Sequence, residues 1–159
     1  MAQRRYVKPS SGTHLLNAVF AALARLGISV YGARILAIRG RNSGAWRTVP
    51  VNVLNHQSVD YLVAPRGETQ WVRNLRVAKT GELRLGRRVE PFHAEELRDA
   101  DKPPVLRAYL KKWGFEVKVF FDGVAADAPD ADLVRIAPSH PVFRITPLGA
   151  VRMRDSGTE

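Results

Sequence analysis

The sequence has no cysteine among its 159 residues, and no apolar run in it approaches the length of a membrane span. The missing cysteines exclude disulfides, thiol nucleophiles, thiolate zinc sites and iron–sulfur clusters. The four histidines lack the close spacing of metal ligands, so we predict no metal site. Length and composition predict a globular domain that buries its core without covalent or metal support.

Acidic residues are missing from the first third of the chain. Residues 1–59 contain eight Lys or Arg and no acid, and the first acid is Asp60. In the rest of the chain, basic and acidic residues are present in nearly equal numbers, so +8 of the formal net charge of +10 belongs to this third. An uncompensated charge of one sign indicates a polyanionic partner, which could be nucleic acid, anionic lipid or a multiply charged cofactor. A solubilising surface is the alternative.

Common catalytic signatures are absent too. Residues 40–44 read G-R-N-S-G, which is not a nucleophile elbow, and the chain has neither G-x-G-x-x-G nor a P-loop. What remains is this loop itself, flanked by Arg39, Arg41 and Arg47. Its two glycines allow backbone N–H groups to converge on an anion, and arginines bind phosphate or carboxylate oxygens. A plain hairpin turn with solvated arginines is the alternative.

Hydrophobic periodicity predicts many short strands and a few helices, which indicates an α+β, barrel-like domain over residues 13–151 with loose tails at 1–12 and 152–159. Apolar residues on one side of residues 13–26 favour a docked amphipathic helix over a secretory signal. Further helices are predicted at 70–79 and 106–112. The predicted strands are 30–38, 46–54, 61–64, 82–85, 89–92, 116–121 and 140–145.

Four motifs in register resemble one known family. They are G-R-N-S-G at 40–44 with R-T-V-P-V at 47–51, Y-L-V-A at 61–64, W-V-R-N-L at 71–75, and H-P-V-F at 140–143. Together they resemble the deazaflavin-dependent nitroreductase/quinone reductase family over roughly residues 14–146.

The resemblance implies a split β-barrel (FMN-binding-like) of mostly antiparallel strands, with an N-terminal amphipathic helix and two or three short helices. It also implies coenzyme F-420, an 8-hydroxy-5-deazaflavin with a phosphate and a polyglutamate tail. The implied reaction transfers hydride from the reduced deazaflavin to a hydrophobic, electron-poor quinone, enone or nitro compound. Such a ligand matches the acid-free first third of the chain. The protein would be a cytoplasmic monomer or homodimer.

The resemblance also implies the site residues. One wall, around the phosphate and the ring edge, comprises Arg41, Asn42, Ser43, Arg47, Thr48, Val49, Pro50, Val51 and Asn52. The other wall comprises Val63, Ala64, Pro65, Arg66, Gln70, Trp71, Val72, Arg73 and Asn74.

Three departures from the family pattern bear on this prediction. Asn42 stands where many members have lysine, and Glu68 falls in a segment where it would repel an anionic tail if it pointed inward. Leu106 replaces one of two tyrosines of the nitroreductase branch, which leaves Tyr109 as the candidate catalytic proton donor. A core aromatic is the alternative for Tyr109.

Other functions stay open at this point. They are an FMN-binding split-barrel flavoprotein, a cofactor carrier without turnover and, more remotely, a basic nucleic-acid-binding module. A nucleic-acid-binding module usually has exposed aromatic residues among its basic residues, and the first third of the chain has few such aromatics. No nucleic-acid partner is therefore expected. A basic tail and an amphipathic helix could also rest on the anionic inner face of a membrane.

Overall fold

In the computed structural model, which describes residues 17–19, 21–22 and 33–149, six antiparallel strands close into one barrel. Their order around the barrel is β1-β2-β3-β6-β5-β4. The strands are β1 (Ala33–Arg39), β2 (Trp46–His56), β3 (Val59–Val63), β4 (Thr80–Leu85), β5 (Arg88–Glu96) and β6 (Val142–Pro147). The predicted α+β, barrel-like fold is confirmed.

Between residues 33 and 147, the barrel is accompanied by helices α1 (Gln70–Ala78), α2 (Pro103–Val117) and α3 (Asp130–Ile136) and by short 3-10 turns at Asp99–Asp101, Lys118–Phe121 and Ala137–Ser139. Helix α1 begins after Thr69, whose side chain accepts a hydrogen bond from the Val72 N–H at 3.5 Å. It ends at Lys79, which adopts a left-handed conformation with φ of 57° and donates its N–H to the Leu75 carbonyl at 2.8 Å. None of the helices in the described residues has the length and apolar character that a membrane crossing requires.

Two hydrophobic clusters hold these elements together. Inside the barrel, strand residues such as Leu36 and Phe143 pack with Val72 and Leu75 of α1. Helix α1 therefore closes the barrel end where β1 and β3 end and β2, β4 and β6 begin. The second cluster joins α2 and α3 to the outside of the barrel, and Trp113 is fully buried within it.

The strand predicted at 116–121 is wrong, because this segment is the end of α2 and a 3-10 turn. Its β-branched and aromatic residues are typical of a strand. In the structure, however, Val117 and Phe121 are the buried residues, which is a helical spacing of four, while Val119 is 77% exposed. The predicted helix at 13–26 lies mostly outside the described residues; residues 17–19 and 21–22 are helical.

Alanine substitutions at two glycines are expected to change the stability of the protein in opposite directions. A Cβ on Gly81 of β4 would lie 2.8 Å from the Phe92 ring and 3.0 Å from the Ala37 carbonyl oxygen, in the packed barrel interior. We expect Gly81→Ala to lower the free energy of unfolding by about 1–3 kcal/mol. Gly114→Ala in α2, where a Cβ meets nothing within 4 Å, should raise it by about 0.5–1 kcal/mol. Urea denaturation measures both, and a shift of the same sign in the two variants would contradict the packing described here.

Candidate functional site

The β1–β2 loop, residues 40–45, is held by hydrogen bonds of its own backbone. The Gly40 N–H donates to the Ala45 carbonyl at 2.8 Å, and the Gly44 N–H donates to the Gly40 carbonyl at 2.9 Å. Gly44 has φ of +70°, which glycine adopts without strain. The Ala45 N–H donates to Ser43 Oγ at 3.2 Å. The N–H groups of Gly40, Gly44 and Ala45 are therefore used inside the loop.

A buried amide ties this loop to helix α1. Oδ1 of Asn74, a residue only 5% exposed, accepts hydrogen bonds from the Arg41 N–H at 3.1 Å and from Arg41 Nη1 at 2.8 Å. One acceptor atom thus fixes both the backbone and the side chain of Arg41. Asn74 was predicted to bind cofactor; the structure uses its carbonyl oxygen to hold the loop in place.

One edge of β2 lacks a strand partner over most of its length among the described residues, and we call the space beside that edge the groove. This strand pairs with β1 from Trp46 to Asn52, whereas among the described residues it pairs with β3 only from Val53 to His56. Beyond Val63 the chain leaves β3 and runs through residues 64–69 into α1. The exposed edge of β2 therefore borders the start of α1, between the β2–β3 pairing at one end and the Arg41–Asn74 contact at the other. The first predicted wall includes this edge of β2, and the second includes the segment that leads from β3 into α1.

Strand alternation divides the first predicted wall between two faces of β2. Val49 and Val51 pack towards the barrel interior, so Arg47 shares their face, while Thr48, Pro50 and Asn52 lie on the opposite one. Trp46 also lies on that outer face, where the guanidinium groups of Arg39 and Arg84 stack on its ring at 4.1 and 5.1 Å. A ligand on one face can meet only half of these side chains.

The predicted site residues also differ in how far solvent reaches their side chains. Val63, Ala64, Val72 and Asn74 are at most 5% exposed and belong to the packed interior. Solvent reaches the side chains of six others, namely Asn42, Ser43, Arg47, Thr48, Gln70 and Arg73, and partly those of Arg41, Val49, Pro50, Val51, Asn52, Pro65, Arg66 and Trp71. The accessible part of the predicted site is therefore mostly polar and basic, and its apolar surface comes from Val49, Pro50, Val51, Pro65 and Trp71.

The charge of the groove is positive. In the described part of the chain, no carboxylate forms a salt bridge with Arg41, Arg47 or Arg73. Glu68, which was expected to repel an anionic ligand if it pointed inward, is bound by the guanidinium of Arg76. Arg76 in turn bonds Glu96, and the hydrogen bonds to Glu96 and then Glu68 raise its pKa although burial lowers it.

Tyr109 lies in the core between α2 and the barrel. It is 3% exposed, and its ring centroid is 5.0 Å from that of Trp113 and 6.0 Å from that of Phe121. Leu106 is fully buried in the same cluster. This environment is that of a core aromatic, and the role of Tyr109 as proton donor stays a prediction.

Two aromatic contacts beside the groove were missed at the sequence level. The Arg66 guanidinium lies 4.5 Å from the centre of the Phe120 ring, and the buried His140 ring stacks on Phe121 at 4.1 Å. Both phenylalanines belong to the segment that was predicted as a strand. The backbone at Ala64 and Pro65 raises the pKa of His140 against the larger effect of burial, so the ring lies beside the turn that follows β3.

The sequence and the fold were compared with those of known proteins. A family model described as F420H(2)-dependent quinone reductase matches residues 20–135, well over half of the chain. No protein of curated function matches. One similar solved structure is described as a domain-swapped dimer; it has 17% identity and a TM-score of 0.55, and the match covers 86% of this chain and 100% of that one. Another is an F420-H2 dependent reductase (FDR-A); it has 18% identity and a TM-score of 0.50, and the match covers 72% of this chain and 94% of that one. At these identities the likeness shows the fold, and the predicted split barrel is confirmed.

The Asn74 contact predicts a specific loss of order in the loop. Asn74→Ala removes the acceptor of two Arg41 donors, so we expect the free energy of unfolding to fall by about 1–3 kcal/mol. Hydrogen exchange of the Arg41 amide should accelerate. Asn55→Ala is the control, because Asn55 donates to Asp60 on an exposed hairpin at 2.8 Å and should change stability by less than about 0.5 kcal/mol. Unchanged exchange at Arg41 in Asn74→Ala would refute this role.

Burial of His140 predicts a loss of stability in acid. Burial lowers its pKa to about 4, against the raising effect of the Ala64 backbone and Asp122, and Lys102 lowers it further. The unfolded chain binds a proton at this histidine below about pH 6.5 and the folded chain does not. The stabilisation is therefore complete above that pH and lost as the pH falls towards 4, by about 3 kcal/mol in all.

His140→Gln separates this effect from the titration of carboxylates. Urea unfolding at neutral pH and at about pH 4 should show a smaller loss of stability in His140→Gln than in the wild type. His93→Gln, at an exposed position on β5, should keep the wild-type loss. Equal losses in wild type and His140→Gln would contradict the assignment.

Proposed function

This chain belongs to the F420H(2)-dependent quinone reductase family, and we propose that it reduces a hydrophobic, electron-poor acceptor, a quinone, an enone or a nitro compound, at the groove beside β2. Family membership makes it a reductase with coenzyme F-420 as its cofactor. When bound, that cofactor supplies hydride. The protein supplies orientation, charge and an environment that excludes water.

The observation that carries the proposal is the pairing of this groove with arginines that have no acidic partner in the described residues. Coenzyme F-420 carries a phosphate and a polyglutamate tail, so its affinity depends on cationic side chains. Arg47 on β2 and Arg73 on α1 are exposed, and Arg41 is held by its hydrogen bonds to Asn74. Arginine donates up to two parallel hydrogen bonds to such oxygens. The residues present therefore fit the cofactor.

Apolar side chains complete the proposed binding surface. Val49 and Val51 of β2 are partly exposed and pack against the barrel interior. Trp71 on α1 is half-buried, and its ring is supported by Phe143 at a centroid distance of 6.0 Å. A planar ring system gains contact area on such a surface without any rearrangement of the protein. Tyr109 is not required for this step, and its role as proton donor remains a separate proposal.

Fewer observations support the alternatives to this proposal and its extensions. FMN is the second candidate cofactor, and a carrier without turnover would bind F-420 but reduce nothing. One similar structure is a domain-swapped dimer, which favours a homodimer over a monomer. A cytoplasmic location and contact with the inner face of an anionic membrane stay predictions.

Titration with oxidised coenzyme F-420, followed by cofactor fluorescence with FMN as a parallel ligand, tests the proposal. The wild type should bind F-420 saturably, and Arg47→Ala should bind it about tenfold or more weakly, because a charge-assisted hydrogen bond is lost. Arg135→Ala is the matched control, since Arg135 is an exposed arginine of α3, and it should bind like the wild type.

Oxidation of the reduced cofactor by a soluble quinone then distinguishes an enzyme from a carrier. Binding of FMN in place of F-420 would move the protein to the flavin-dependent branch of the fold. Binding of neither would overturn the proposal.

A further inference from the structure

Trp46 is an exposed aromatic residue that begins β2 directly after the β1–β2 loop. Its side chain is 38% exposed, whereas tryptophan is on average highly buried. In the register of the sheet it lies opposite Arg39, the last residue of β1. These two residues therefore stand at the two ends of the loop that carries Arg41.

Arg39 contacts the loop and the tryptophan ring at once. Its Nη1 donates a hydrogen bond to the Gly44 carbonyl at 3.2 Å, and its guanidinium carbon lies 4.1 Å from the centre of the Trp46 ring. A flexible, exposed arginine gains little from one hydrogen bond, because water competes for it and the side chain loses rotamer freedom. A guanidinium that is held on an aromatic ring has already lost part of that freedom. The ring of Trp46 therefore orders the donor that binds the Gly44 carbonyl.

The tryptophan ring is in turn supported from β4. The guanidinium carbon of Arg84 lies 5.1 Å from the centre of the same ring. Arg84 also donates from Nε and Nη2 to one oxygen of Glu82, at 2.9 and 2.8 Å. The loop is consequently held at two places, by Asn74 near its start and by the stack on Trp46 near its end.

We propose that Arg39, stacked on Trp46, is a positioning residue that holds the end of the β1–β2 loop for the anionic part of the cofactor; this inference rests on the proposed function. The exposed side chains of Asn42 and Ser43 lie between the two points at which the loop is held. Arg39 itself does not contact the cofactor. Its effect on affinity passes through the Gly44 carbonyl and the loop.

A direct contact between Arg39 and the cofactor is the alternative, and the two roles differ in what Trp46 does. No acid in the described residues forms a salt bridge with Arg39, so its charge alone could attract an anion. Removal of the ring would then leave that charge in place and the affinity unchanged. If Arg39 positions the loop, removal of either partner of the stack weakens binding to the same extent, and removal of both adds nothing.

The experiment measures the dissociation constant for oxidised F-420 by fluorescence at low and at high salt. We expect about fivefold weaker binding in Arg39→Met, in Trp46→Leu and in the double variant, and near wild-type binding in Trp46→Phe, which keeps a ring under the guanidinium. The differences should persist at high salt, because salt screens charges and does not order a loop. Arg88→Met, which breaks an exposed pair with Glu90 at 2.7 Å, is the control for the loss of a positive charge and should bind like the wild type.

Hydrogen exchange of the protein without cofactor supplies a second readout. The Gly40 and Gly44 amides make the loop's own backbone hydrogen bonds. They should exchange several-fold faster in Arg39→Met and in Trp46→Leu, whereas Trp46→Phe should exchange like the wild type. This measurement reports on the order of the loop whether or not the cofactor binds.

The outcomes separate this inference from the function on which it rests. A wild type that fails to bind F-420 overturns the proposed function, and the inference falls with it. A wild type that binds F-420, with Trp46→Leu equal to it in affinity or in loop exchange, leaves the function in place and overturns the positioning role. Because Arg39 is exposed, Arg39→Met keeps the inference testable even if Trp46→Leu does not fold. A loss of affinity in Arg39→Met that disappears at high salt would contradict the inference.

Discussion

The hydrogen bonds from Arg41 to Asn74 are the contact on which the candidate site depends. They join a loop between two strands to the helix that closes the barrel, across 33 residues of sequence. Since Asn74 is buried in that helix, the packing of the barrel interior determines where its oxygen lies. The position of Arg41, and with it the mouth of the groove, therefore follows from the hydrophobic core.

Charge in this site is arranged by pairing rather than by composition alone. The acid-free first third indicated an anionic partner, and two of the three groove arginines, Arg41 and Arg47, come from it. The third, Arg73, belongs to a part of the chain where acids and bases are nearly balanced. The one acid in its segment, Glu68, is bound by Arg76. A count of charges along the chain cannot show this, since it treats a bound carboxylate and a free one alike.

The sequence predicted the elements whose patterns are local. Alternating valines marked β2, and Thr69 marked the start of α1 where the structure has it. The strand predicted at residues 116–121 was wrong. β-branched and aromatic residues occur in strands and also at buried helix ends, and only the packing of Val117 and Phe121 decides between the two structures. The contacts of Arg41, Arg76 and His140 were beyond the reach of the sequence, since each joins residues that only the closed barrel brings together.

The motif residues of the site divide into two groups with different physical roles. Asn74 and Val72 are buried and shape the site, whereas Arg47 and Arg73 are exposed and carry its charge. The first group packs the fold around the groove, and in the proposed function the second group determines the kind of ligand that binds there. Neither group includes a side chain whose chemistry selects one electron-poor acceptor over another. A resemblance carried by these residues therefore extends to the barrel and the cofactor, while acceptor selectivity has to come from side chains outside the motifs.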